Sequence, residues 1–235
     1  MPYLDGILPQ QPPEAELQIA YFILAAAQRT AEAFFQTFDQ VRQARGAQGA
    51  PTDPEQDLLR AGLIFTTAGL DAMVKQLVRD ALHSVLLKDE GATQQLTDYV
   101  ETCLRRPSGT GEMQLDAKYL AAVLTHPSPR EAIEKALLKQ LTSNSLQSKD
   151  ELLRVAAYFA IPARSITVDV NLLRDIFTVR NEIAHEMDVN FGAPNRSRRS
   201  RRRDHMVEYA REILRIGTRF LAAVQAKLAQ SAIKW

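Results

Sequence analysis

The chain of 235 residues has a single cysteine, Cys103, which rules out an intrachain disulfide and a cysteine-built zinc cluster. That usage fits a reducing compartment, with Cys103 itself a buried or half-buried apolar residue. It has no excess of charge of either sign: 29 Lys and Arg against 28 Asp and Glu leave +1, which argues neither for nor against a nucleic-acid partner. It has no long hydrophobic run, since the longest, Ile19 to Ala27, falls far short of the ~20 residues that span a bilayer. Residues 1–16 hold Asp5, Glu14 and Glu16 but no Lys or Arg, so the basic start of a secretory signal is missing. The expectation is a cytoplasmic protein with no membrane partner. With 10 Gly, 11 Pro and 46% hydrophobic residues, collagen-like, low-complexity and wholly disordered chains are excluded as well.

Apolar positions at steps of three and four fill the chain, and no stretch alternates with period two for long enough to predict a strand. The prolines fall between these periodic segments and leave them free to be helices. The first helix is read from about Pro13 to Arg45, on the stripe Leu17, Tyr21, Leu24, Ala31, Phe35 and Phe38. After a Gly/Pro turn with Asp53 as N-cap, a second runs from Pro54 to about Lys88 on Leu59, Leu63, Leu70, Val74, Leu77 and Ala81. Gly62 and Gly69, seven residues apart, share a face that admits a close neighbour, inside the domain rather than at a dimer seam. Shorter helices follow at Gln94–Leu104, Gln114–Leu124, Pro129–Leu141 and Lys149–Phe159. Another runs from Thr167–Asp169 to about Met187, a polar loop spans 190–203, and a final helix carries Val207, Ala210, Leu214, Leu221, Val224 and Leu228. The fold class is all-α: an arm at 1–13, then one helical domain over 14–235 with long N-terminal helices and additional short ones.

The most informative stretch is Arg180-Asn181-Glu182-Ile183-Ala184-His185, near the end of an amphipathic helix. Spacing alone is weak, because 21 Arg and 4 His in 235 residues meet at any one separation by chance roughly a third of a time. A second pair, Arg199 and His205, lies inside an arginine run at a loop-to-helix junction and is set aside. Asn directly after the arginine, small Ala184 before the histidine and an otherwise apolar helix single out the first pair.

Here the chain resembles the HEPN superfamily, whose signature is Arg, four to six residues, then His, often with Asn or Asp after the Arg. Residues 61–73 of the second helix are similar to the corresponding helix of the RiboL-PSP-HEPN group. The likeness spans about 14–230 as a pattern of helices, but only the short motif is specific. The resemblance implies a HEPN-type helical bundle and a homodimer that brings two motifs into one cleft. It implies a metal-independent endoribonuclease of toxin–antitoxin or antiviral defence systems, using neither metal nor cofactor, with an antitoxin or defence-system partner. Arg180 and His185 would be its catalytic pair and Asn181 an accessory polar residue. Met187 stands where some HEPN proteins carry a Tyr, which departs from the tyrosine-bearing nucleotidyltransferase-associated type. The alternative is a non-catalytic HEPN module that binds RNA or a protein, with Arg180 and His185 holding the fold or the dimer.

The residue chemistry suits RNA cleavage independently of the family. Histidine exchanges protons near neutral pH, and arginine stays charged and holds two phosphate oxygens at once. His185 then serves as general base or acid, Arg180 as phosphate and transition-state clamp and Asn181 as an orienting group, leaving a 2′,3′-cyclic phosphate. On a helix Arg180 and His185 point about 140° apart, an awkward arrangement within one chain that a twofold contact could complete.

The run Arg196, Arg198, Arg199, Arg201, Arg202 and Arg203 puts six arginines in eight residues with no acid, and without it the remaining charge is −5. Such a run can neutralise RNA phosphates with salt-sensitive affinity. Two other readings are a solvated, disordered loop and a docking site for an acidic antitoxin. Asp71 could reach the motif cleft or form a salt bridge. His83 and His126 read as surface or structural, Ser108–Glu112 as a turn without the Lys-Ser/Thr of a phosphate loop, and Trp235 as packed back or free.

Overall fold

A computed structural model of the chain describes residues 2–46, 49–107, 113–146 and 148–231. The first apolar stripe becomes α1 (Ala15–Ala44) and the second α2 (Asp53–Leu86). Every residue of the predicted α2 stripe is buried, as are Leu17, Leu24, Ala31, Phe35 and Phe38 of α1. Thr52, not Asp53, caps α2: its hydroxyl and the Glu55 carboxylate satisfy each other's backbone N–H in a capping box, with Pro54 in the first turn. Asp53 is thereby the first helical residue.

The two glycines decide how α1 and α2 meet. A Cβ on Gly62 would lie 2.6 Å from the Phe35 ring, and one on Gly69 would lie 2.2 Å from the Ala27 Cβ. Both glycines are filled by α1 of the same chain, as the packing reading required, and the helices are antiparallel. On their other side lies α8 (Arg203–Leu228), where a Cβ on Gly217 would strike Leu24. These three long helices carry most of the core.

Shorter helices complete the fold: α3 (Glu90–Leu104), α5 (Pro129–Ser143) and α7 (Val170–Glu186) pack on α2, α4 (Ala117–Leu124) packs on α3 and α5, and α6 (Lys149–Tyr158) on α3 and α7, with one 3-10 turn at Ala163–Ser165. Two boundaries differ from the sequence reading. α3 begins four residues early because Asp89 caps it, accepting the Ala92 N–H at 2.9 Å. The expected helix over 114–124 starts only at Ala117, because Asp116 takes the cap and residues 113–115 form a strand. That strand, β2 (Met113–Leu115), pairs antiparallel with β1 (Arg105–Pro107) in a ladder of three residues each, too short to show a period. Ser108–Glu112 and Trp235 lie outside the described residues. No helix among the described residues is long and apolar enough to cross a membrane. The segment read as an arm is laid against α1 and α8, with Leu4 fully buried and its N–H on Glu32 at 2.7 Å.

Candidate functional site

The site is built on α7 and on the loop that leaves it. Asp169 starts the helix by accepting the Asn171 and Leu172 N–H groups, each at 2.9 Å. Leu173, Ile176, Phe177 and Ile183 are buried, which turns Arg180, Asn181 and His185 outward. Arg180 Nη1 donates to Asn181 Oδ1 at 2.9 Å and lies 3.3 Å from His185 Nε2. The guanidinium thus meets the imidazole within one chain, although their Cα directions diverge. An N–H donated to Nε2 needs that nitrogen unprotonated, with the ring proton on Nδ1. Arg180 is half-buried and makes no ion pair among the described residues, while His185 is exposed.

The acids beside this pair are committed elsewhere. Glu182 takes Arg201 Nη2 at 2.6 Å and Arg199 Nε at 3.5 Å, and Glu186 takes Arg199 Nη1 at 3.2 Å. Glu182 lies one turn before His185 and would be its natural helical neighbour, yet its carboxylate faces the loop arginines instead.

No glycine ends α7. Met187 and Asp188 both adopt the left-handed conformation, at φ 52° and 60°, and the Asp188 N–H returns to the Glu182 carbonyl at 2.9 Å. Asp188 is wholly buried and sits between two arginines. Arg60 Nε on α2 reaches it at 2.7 Å and Arg201 Nε at 3.0 Å. Burial works against the charge of Arg201, but the bonds to Asp188 and Glu182 outweigh it and raise its pKa above the ordinary arginine value.

Of the six arginines read as RNA-binding, four are held inside the chain. Arg198 pairs with Asp57 at 2.7 Å and with the Met187 carbonyl at 3.1 Å. The hydrogen bond to Asp57 raises the Arg198 pKa; Asp57, which partial burial pushes up, is held below the usual carboxylate range by Arg198 and Arg60. Arg199 and Arg201 bind the acids above, and Arg203 binds Asp39 and Asp204, both at 3.1 Å. Arg202 is exposed and lines a shallow cleft with Arg42 and Arg203. Arg196 is exposed and its guanidinium has no partner among the described residues. Four of the six guanidiniums are therefore taken up by carboxylates of the same chain, which leaves Arg196 and Arg202 as the candidates for phosphate contact.

Comparison with known proteins finds no matching family model, no similar curated protein and no similar solved structure.

The remaining sequence candidates are accounted for by local bonds. Asp71 pairs with Lys75 and accepts the Leu146 N–H, each at 2.9 Å, which ties α2 to the segment before α6. His83 Nδ1 meets Glu134 at 2.6 Å, His126 Nδ1 lies 3.0 Å from the Ser128 carbonyl, and no metal-binding cluster occurs among the described residues. Cys103 is half-buried. Sequence reasoning missed Asp57, Asp188 and the two glutamates as counterions of the run, and Arg60 as a second cation on Asp188. Part of their signal was present in Glu182, Glu186 and Asp188, three acids within seven residues that precede the six arginines.

Proposed function

We propose that this chain is a metal-independent RNA endonuclease of the HEPN type, acting as a homodimer in a toxin or antiviral-defence setting. One observation carries the reading. Arg60, Arg198, Arg199 and Arg201, around the end of α7, each have a carboxylate. Arg180 has none among the described residues and is turned onto His185 instead. An arginine left without an acid at the surface is suited to an external anion, and a phosphodiester oxygen fills that role.

In the proposed reaction the RNA 2′-oxygen attacks phosphorus, so the O2′–P bond forms and the P–O5′ bond breaks. The 2′-hydroxyl proton passes to a histidine acting as base, and a histidine acting as acid protonates the leaving 5′-oxygen. One His185 per chain supplies one of these roles, and a second copy supplies the other. Arg180 holds the negative charge that builds on the phosphorane oxygens, and Asn181 fixes the guanidinium. The products are a 2′,3′-cyclic phosphate and a 5′-hydroxyl.

Single-stranded RNA incubated with the protein in EDTA tests this. Wild type is expected to leave 2′,3′-cyclic ends, and His185→Ala to lose about 10²-fold or more in rate with an unchanged helical circular-dichroism spectrum. Wild type that cuts no RNA at any ionic strength would remove the nuclease reading. The rival, a non-catalytic HEPN module that binds RNA or a protein such as an acidic antitoxin, draws on the exposed Arg196 and Arg202. It predicts binding that His185→Ala leaves intact, with no cleavage by wild type.

A further inference from the structure

The segment between Met187 and Arg199 is an excursion built on a rigid base. Val189 and Arg198 form an antiparallel bridge, Asn190 N–H donates to the Ser197 carbonyl at 2.9 Å, and Arg199 N–H donates to the Asp188 carbonyl at 2.8 Å. Within it, Ala193 N–H returns to the Asn190 carbonyl at 3.1 Å and Arg196 N–H to the Ala193 carbonyl at 2.9 Å. The Asn190 and Asn195 side chains accept the Gly192 and Ser197 N–H groups. Two arginines clamp the base to the body. Arg198 holds Asp57 of α2, and Arg199 Nη1 holds both the Val189 carbonyl at 2.6 Å and Glu186, the residue after His185.

This fixed loop presents an unusual pair to solvent. Phe191 is 64% exposed, and Met187 at its root is 67% exposed. Arg196, held at a positive φ of 47°, carries the guanidinium without a partner among the described residues. Folding gains nothing from an aromatic ring left in water or from a cation left unpaired. An exposed apolar ring and an unpaired cation on one short loop are, however, a combination that single-stranded nucleic acid takes up: bases stack on the ring and a phosphate meets the cation. Phe191 lies six positions after His185, which bounds the distance between their backbones at about 22 Å, within the span of a few nucleotides of one strand.

We infer that Phe191 is a stacking platform for a base of single-stranded RNA, and that Arg196 pairs with a neighbouring phosphate of the strand lying on the Arg180–His185 site. The inference rests on the nuclease reading and adds the residues that hold and register the substrate. Stacking of this kind tolerates any base and gives affinity without a sequence code.

The test reads binding without cleavage, using a fluorescein-labelled 2′-O-methyl RNA oligonucleotide whose blocked 2′-oxygen cannot attack, and fluorescence anisotropy at several salt concentrations. Phe191→Ala is expected to weaken binding between about 5- and 100-fold with an unchanged salt slope. Phe191→Trp is expected to restore it, the new indole being quenched by the oligonucleotide. Arg196→Gln is expected to lower the slope of log K against log salt by about 0.7, one phosphate contact on a single strand. Because Phe191 is exposed, its variants should melt like wild type. Equal affinity of wild type and Phe191→Ala overturns the inference. So does a Phe191→Ala chain that changes sedimentation but not affinity, which would give the ring to a second copy of the chain. RNA cleavage assayed in parallel separates the two failures: a His185-dependent nuclease indifferent to Phe191 refutes the platform alone, and a wild type that neither binds nor cuts refutes both.

Discussion

Arg60 and Arg180 both stand on helices bordering the loop after α7, and their surroundings give them opposite tasks. The Arg60 side chain is nearly buried and points at the fully buried Asp188, where two guanidiniums share one carboxylate. A buried charge that loses its partner is costly, and removing Asp188 takes the shared carboxylate from both, leaving Arg60 with the half-exposed Asp57 and Arg201 with Glu182. Asp188→Ala is expected to destabilise the chain by about 3–5 kcal/mol in urea unfolding. Arg180→Ala, which removes a partly exposed side chain with no acid, is expected to cost under about 1 kcal/mol while abolishing RNA cleavage. A stability loss for Arg180→Ala matching that of Asp188→Ala would assign Arg180 to the fold instead. The motif was legible in the sequence because Arg, Asn and His are local. The commitment of Glu182 to Arg201 was not, because that choice depends on a loop 19 residues on.

At the scale of elements, the register of α1 on α2 is set where side chains are missing. Gly69 faces the Ala27 Cβ, which has no rotamer to move, whereas Gly62 faces the Phe35 ring. Gly69→Ala is therefore expected to force the backbones apart at a cost of about 1–3 kcal/mol. Ala27→Gly introduced alongside it should recover most of that loss in a thermal melt, a rescue that a purely intrahelical effect would not show. The helices themselves were readable from period, since an apolar stripe repeats within a turn or two, although Thr52 rather than the expected Asp53 caps α2. The β1–β2 ladder and the early start of α3 were not, because three residues cannot display a period and the Asp89 cap precedes Gly91, itself a turn signal.

For the whole molecule, the contact between Arg180 and His185 is complete within one chain, but the proposed reaction needs a base and an acid, and one imidazole supplies one. Mixing wild type with His185→Ala distinguishes a shared site from a self-sufficient one. If both histidines serve one cleft, activity falls with the square of the wild-type fraction, and the protein sediments at twice the chain mass. A linear decline would place the whole reaction in each chain. What the sequence by itself determined is everything that acts over a few residues: the long helices, their buried stripes, and the Arg-Asn-His cluster near the end of α7. Only the tertiary structure decided what the six arginines do, because charge in a loop has no meaning until its neighbours are known. Once α2 brings Asp57 and Arg60 against the end of α7, the nearest carboxylates claim Arg198, Arg199 and Arg201, Asp39 and Asp204 claim Arg203, and Arg180, Arg196 and Arg202 are left without an acid among the described residues.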